Sequence, residues 1–363
     1  LLLELVYFHL PPPYKQQISQ ENPMKLDEYI DLVDQCGYSI YPGFISRSTH
    51  GCQYKKRRQA HFKRIFASSD NLDDVVITGY SNDNYGPYGN TTTKNKSSFV
   101  AIALADRDNN GAVVFSGCEQ MYPSSIALDW GGCLIASLGV VTAHHHKAMN
   151  FYDNTMAGIL GERNILGHSK GGNLAVYAAA NVPSEIQERI TVVYSHDGPG
   201  FDEVFFDEDG YVRIASKIHK SVPGSSIIGM LFETREHVED GYTVVSSDGA
   251  SIMQHFALHW QVDHGQFVQA DGLTSSAQYL ARTINGWMAK YDDEHRRKFI
   301  ENLFAIFEAG GYDTFGDLTS HLTQSLPIML AAARNIDVED RDVMIEVLKG
   351  FAATAAASVI LAK

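Results

Sequence analysis

Short runs crowded with branched and aromatic residues recur along the first two thirds of the chain, and each predicts a strand. "DDVVITGYS" (73–81) is one. "SSFVAIAL" (97–104) and "AVVFSG" (112–117) are two more. The "ADRDNNG" between them carries an Asn-Gly pair, so they read as a hairpin. "ITVVYSHDGPGF" (190–201), "SKIHKSVPGSSIIGMLF" (216–232) and "YTVVSSDGASIMQHFALHWQV" (242–262) each begin β-rich and end in turn formers. Between these runs the apolar spacing becomes helical, in "KLDEYIDLV" (25–33), "VVTAHHHKAMNFYDNTMA" (140–157) and the alanine-rich stretch that ends at Ala180. Strands alternating with helices predict a mostly parallel sheet with crossover helices.

From residue 274 the pattern is helical throughout. "SSAQYLARTINGWMAKY", "EHRRKFIENLFAIFEAGG", "TFGDLTSHLTQSLPIMLAAA" and "DRDVMIEVLKGFAATAAAS" all carry the spacing. The expected organisation is therefore an α/β domain over 1–273 and a helical C-terminal extension over 274–363, packed on the core. Glycines 310 and 311 close one of these helices.

The segment "NILGHSKGGNLAVYAAA" (164–180) joins a strand-like run to a helix former through G-x-S-x-G. In a nucleophile elbow the serine sits on a strained turn, so small neighbours are required around it. The helix that follows aims its N-terminal amides at the site, where they favour developing negative charge. Ser169 is the expected nucleophile. A serine needs a base, and the base needs an orienting acid. In the α/β-hydrolase fold the chain order is serine, acid, histidine. Asp197 ends the next strand and is the expected acid, with Asp248 as rival. His255 follows the last strand run and is the expected base, with His259 and His264 as rivals. His168 and His196 precede the expected position and read as loop or pocket-lining residues. Two backbone amides should form an oxyanion hole. Lys170, after the serine, supplies one. Cys118, at the end of "VVFSGCE", supplies the other, with Gly117 and Glu119 as neighbouring candidates.

Two patterns that invite a metal reading fail on geometry. His144, His145 and His146 are consecutive on a helix and point about 100° apart, so they cannot converge from one face. Asp106, Asp108, Asn110 and Gly111 match half of a calcium loop, but the twelfth position is Gly117 rather than an acid. No metal or organic cofactor is expected. "SIIGMLF" reads as a buried helix, with lining of an acyl pocket as the lesser alternative.

The composition narrows the partners. The net charge of −14 disfavours nucleic acid, because phosphate binding needs a basic surface. The one basic cluster, "KKRRQAHFKR" (55–64), reads as a solvated helix face. The four cysteines contain no CxxC, which fits a reducing compartment. "LLLELVYFHLPPP" reads as a truncated start rather than a signal peptide. "GFAATAAASVILA" is shorter than the roughly 20 residues of a spanning helix, so no transmembrane segment is expected.

Several motifs together resemble a known group. "FSGCE" is similar to the "FRGT"-type strand end of class 3 (fungal triacylglycerol) lipases, and "GHSKGGNLA" to their "GHSLGGALA" elbow. With "SHDGPGF", "VPGSSIIGML" and "QHFALHWQV" the chain resembles, over nearly its whole length, the bacterial lipase-like α/β-hydrolases of the Mbeg-like domain family. The resemblance implies Ser169 as nucleophile, Asp197 as acid and His255 as base. It departs at Ser116, where those lipases have arginine, and at Cys118, where they have threonine. The class 3 acid normally follows a later strand, yet "VPGSSIIGML" at the matching place holds no Asp. The expected function is cleavage of a small or lipid-like carboxylic ester through an acyl-enzyme. The alternatives are a thioesterase or acyltransferase using the same triad, and a non-catalytic binding protein on a hydrolase fold. The expected setting is the bacterial cytoplasm, with secretion left open by the apparent truncation and the oligomeric state unassigned.

Overall fold

The computed structural model describes residues 2–6, 17–36, 72, 74–82, 99–117, 141–232, 241–249, 254–310, 321–338, 340–345 and 348–349. Strands β1 (Met24–Lys25), β2 (Val76–Asn82), β3 (Val100–Ala105), β4 (Gly111–Phe115), β5 (Arg163–His168), β6 (Ile190–His196), β7 (Ile218–Pro223) and β8 (Tyr242–Val245) form one sheet. Each strand lies beside its predecessor in sequence. The β1–β4 ladders are antiparallel and the β4–β8 ladders parallel. The β3–β4 hairpin forms as expected. Its turn is built by Asp106, whose carboxylate accepts from the backbone (2.8 Å) and side-chain (2.9 Å) nitrogens of Asn110. Asn109 takes the positive φ, 61°, that such a turn requires.

Helices cover both faces of the sheet. α1 (Leu2–Leu5) and α2 (Leu26–Cys36) lie on one side. α3 (Ala143–Met156), α4 (Lys170–Asn181), α5 (Ser184–Gln187), α6 (Glu203–Phe206) and α7 (Asp209–Ile214) belong to the other. The β3 sequence VAIALA shows why both faces are needed. Ala101, Ala103 and Ala105 face Ala148, Tyr152 and the alanines of α4. Val100, Ile102 and Leu104 face Leu5, Leu26 and Tyr29. A strand with two apolar faces demands cover on both. The small Ala175, Ala178 and Ala179 are completely buried, which lets α4 lie close on the sheet.

Beyond the sheet, β9 (Val262–Asp263) and β10 (Gln266–Phe267) make a small hairpin that sequence pattern alone does not show. α8 (Ser275–Met288), α9 (Asp293–Ala309) and α10 (Leu322–Ala333) follow. Their apolar faces share a separate core of Trp287, Met288, Phe299, Ile306 and Met329, joined by Met344 from beyond α10 and by Leu231 from the turn after β7. That turn is not the buried helix expected of "SIIGMLF". It is a single 3-10 turn, Ile228–Met230. Among the described residues no helix is long and apolar enough to cross a membrane.

Candidate active site

The C-terminal ends of β5, β6 and β7 carry a group of buried polar residues, among them His168, Ser169, His196, Asp197 and Ser221. Ser169 stands between β5 and α4 with φ 57° and ψ −128°, a conformation that costs on the order of 1–3 kcal/mol for a residue with a side chain. Two features hold it there. Its N–H donates to His196 O of the neighbouring strand (2.9 Å), and its carbonyl accepts from Gly172 N (2.9 Å). The flanking glycines are needed for space. A Cβ on Gly167 would overlap the Gly171 backbone, and one on Gly171 would overlap the carbonyl of Phe115. The end of β4 therefore lies against the first turn of α4. α4 begins at Lys170, so the N-terminal end of the helix, which favours negative charge, stands at the serine turn.

Asp197 follows β6 at once, 1% exposed and with φ 48°. Its N–H donates to Ser221 O (2.7 Å), which holds this left-handed residue beside β7. Oδ1 accepts from Ser226 Oγ at 2.5 Å and from Gly229 N at 3.1 Å. Oδ2 accepts from His255 Nδ1 at 2.6 Å. An acid carrying three such bonds has little freedom to rotate, and hydrogen bonds to an ionised group are the strong ones.

His255, 6% exposed, is fixed through its backbone as well as its ring. Its carbonyl accepts from His168 Nε2 at 2.6 Å, and the two rings lie 4.7 Å apart between centroids. His168 is the residue before Ser169, so one bond links the base to the serine turn. The preceding Gln254 is tied on two sides. Its carbonyl accepts from Trp260 Nε1 (2.7 Å), and its side chain accepts from Ser225 N (2.9 Å). With its Nδ1–H donated to Asp197, His255 keeps the lone pair on Nε2.

A second chain of bonds secures the loop after Asp197. Asn173, one turn into α4, donates its amide to the carbonyls of Pro199 (3.2 Å) and Gly200 (3.0 Å). Its Oδ1 lies 2.8 Å from His145 Nε2. Thr142 N donates to His145 Nδ1 (2.9 Å), so that nitrogen is an acceptor and Nε2 carries the hydrogen. Burial pushes His145 down to about 4 and neighbouring His144 down to about 3, the latter aided by the Lys170 charge. His196 is pushed down to about 3 by burial among Trp260 and Phe267. Its Nδ1 has no partner among the described residues. All three rings are therefore neutral near pH 7.

The other sequence candidates lie elsewhere. Asp248 is exposed and accepts from Gln261 Nε2 (2.6 Å). His264 is 94% exposed on the β9–β10 turn beside Asp263. Neither His259 nor His264 bonds Asp197. Cys118 and Glu119 lie outside the described residues, while Gly117 is buried where β4 ends. His145, the middle one of the three consecutive histidines, is 2% exposed. Ser226, Gly229, Asn173 and His145 escape sequence reasoning. Only a glycine-rich turn after a strand at this edge of the sheet hints at the first two. Among the described residues no three His, Cys, Asp or Glu side chains are grouped to hold a metal ion.

No curated protein matches the chain significantly. A family model described as Mbeg1-like matches residues 80–305, more than half of the chain. The match spans the serine turn, the Asp197–His255 pair and the turn after β7, and runs on into α9. On that evidence the chain belongs to the Mbeg1-like family.

Proposed function

We propose that this protein is a serine hydrolase of carboxylic esters, lipase- or esterase-like, on an α/β-hydrolase fold. The observation that carries the reading is the buried 2.6 Å bond between Asp197 and His255, at the same sheet edge as the strained turn of Ser169. The order serine, acid, histidine along the chain supports it, and so does the family. Ser169 Oγ attacks the acyl carbon while His255 Nε2 takes the hydroxyl proton. Asp197 stabilises the resulting imidazolium and holds its orientation. The oxyanion draws on the amide of Lys170 and on a second amide, for which the sequence offers Cys118, outside the described residues, as candidate. The tetrahedral adduct collapses, the leaving alkoxide takes the proton back from Nε2, and an ester to Ser169 remains. Water then attacks with His255 again as base, releasing the acid and restoring the serine. These steps need no metal or cofactor. The cytoplasm of a bacterium is the setting that the cysteine usage and the resemblance favour.

The test is labelling with a fluorophosphonate probe together with hydrolysis of short-chain p-nitrophenyl esters. Wild type should label and turn over. Ser169→Ala should not label, and its rate should fall by about 10⁴ or more. Labelling that persists in Ser169→Ala removes the assignment. Added alcohols or amines that divert the acyl group would identify an acyltransferase working through the same intermediate.

A further inference from the structure

The turn after β7 has two sets of contacts, and they face opposite parts of the molecule. On one side it supplies both donors to Asp197 Oδ1, Ser226 Oγ at 2.5 Å and Gly229 N at 3.1 Å. Leu231 O also accepts from Gly200 N (2.8 Å), three residues beyond Asp197. On the other side the turn is taken up by the C-terminal helices. Asn285, in the third turn of α8, uses both ends of its amide. Its Nδ2 donates to Met230 O at 2.7 Å, and its Oδ1 accepts from Phe232 N at 3.0 Å. Between those two bonds Leu231 enters the helical core with Trp287 and Met288. Phe232 is held at φ 64°, a value that a residue with a large side chain keeps only under outside constraint.

We infer that Asn285 is a positioning residue for the Asp197–His255 pair, and that the C-terminal helices are a working part of the site. The inference rests on the hydrolase reading for its effect on rate, but not for the coupling itself. A carboxamide that pairs with one N–H and one C=O two residues apart fixes the turn as a backbone strand would. Two residues separate Ser226 from Gly229, and Met230 follows at once. A shift at the Asn285 end is therefore passed to the donors of Oδ1 with little chain to absorb it. The carboxylate would then turn about its bond to His255.

The experiment compares Asn285→Leu with wild type. Leucine keeps the volume and removes both bonds. Asn285→Asp keeps the size and the acceptor for Phe232, and serves where the leucine variant does not fold. Gly286→Ala, on the same helix with open space around it, is the control. The first readout is the proton resonance of His255 Nδ1–H, assigned by its loss in His255→Gln. It needs no activity. In the Asn285 variants it should shift in the same direction as in Ser226→Ala and exchange faster with water. Gly286→Ala should leave it in place. The second readout is ester hydrolysis, with kcat lowered on the order of ten- to a hundredfold and KM within about a factor of two. An Asn285 variant that loses stability yet keeps the wild-type resonance overturns the inference. A wild type that fails to label with fluorophosphonate defeats the hydrolase reading alone, and the resonance still decides the coupling.

Discussion

Replacing Gly229 by alanine would put a methyl group where the Asp197 carboxylate stands. A Cβ built on Gly229 overlaps Asp197 Oδ1 and meets Val222 Cγ1 at 2.8 Å and Ser226 Oγ at 3.0 Å. None of these neighbours can give way cheaply. Asp197 is bonded at both oxygens, Val222 is completely buried in β7, and Ser226 is itself a donor to the acid. The turn must therefore move, and its N–H leaves the carboxylate. Overpacking a tight site costs about 1–3 kcal/mol. Losing a hydrogen bond to a charged group costs about 1.5–3 kcal/mol. One displacement produces both, so they do not add in full, and the expected loss is about 2–4 kcal/mol. Gly224→Ala, earlier in the same turn, is the matched control. Its Cβ would find nothing closer than Gly272 O at 3.7 Å, and its stability should stay within about 0.5 kcal/mol of wild type. Urea denaturation of the three proteins, compared at constant m, measures the difference. On the proposed hydrolase reading, Gly229→Ala should also lower kcat for ester hydrolysis, by less than the roughly 10⁴ that loss of a triad member costs. Equal midpoints for Gly229→Ala and Gly224→Ala would show that the turn does not press on the carboxylate and would refute the reasoning.

Two further outcomes are expected. His145 and His196 are held neutral, at about 4 and about 3 against an ordinary 6.5, so the unfolded chain binds more protons than the folded one below that value. Stability is therefore complete above pH 6.5 and falls with pH toward those depressed values, by about 2 kcal/mol per histidine between pH 8 and pH 5. Urea midpoints measured across that range should drop less in His145→Gln than in wild type, and equal slopes would refute the assignment. Gly286→Ala should raise stability by about 0.5–1 kcal/mol, since the site is helical, exposed and open. A lower thermal midpoint for that variant would show that the helix there needs glycine.

What was legible in the sequence is what local physics determines. The serine turn was readable because two glycines flank a serine between a branched run and an alanine-rich helix, and few conformations use that pattern. Asp197 was readable as the first acid after the next strand, and His255 as a histidine beyond the last one. The helix expected at 140–157 forms at Ala143–Met156, yet the burial of His145 inside it was hidden. Three consecutive histidines look polar. What buries the middle one is Asn173, 28 residues away, whose Oδ1 takes up the ring N–H. The turn after β7 departs from its hydrophobic pattern for a similar reason. Ile227, Ile228, Met230 and Leu231 have helix-like hydrophobicity, but they diverge. Met230 packs beside Val222 and Ala281, while Leu231 enters the helical core. Gly229 faces the acid between them. Side chains drawn into two different cores do not make a buried helix.

That turn also bears on why the acid stands at the end of β6 when β7 offers none. Asp197 must reach across to His255 while its second oxygen is buried. An ionised group there needs donors, because desolvation without them would be costly. β7 is the next strand over, and its following turn is the nearest backbone that can supply them. Ser226 gives a hydroxyl and Gly229 an amide that only a residue without Cβ can bring so close. The segment that carries no acid thus carries the groups that let the neighbouring strand's acid stay buried. The same segment is gripped by Asn285 from α8. Orientation of the carboxylate is shared among β6, the turn after β7 and a helix that begins some 80 residues after the acid. A shortened chain that keeps every sheet strand but ends before Ser275 should therefore lose the order of the Asp197–His255 pair.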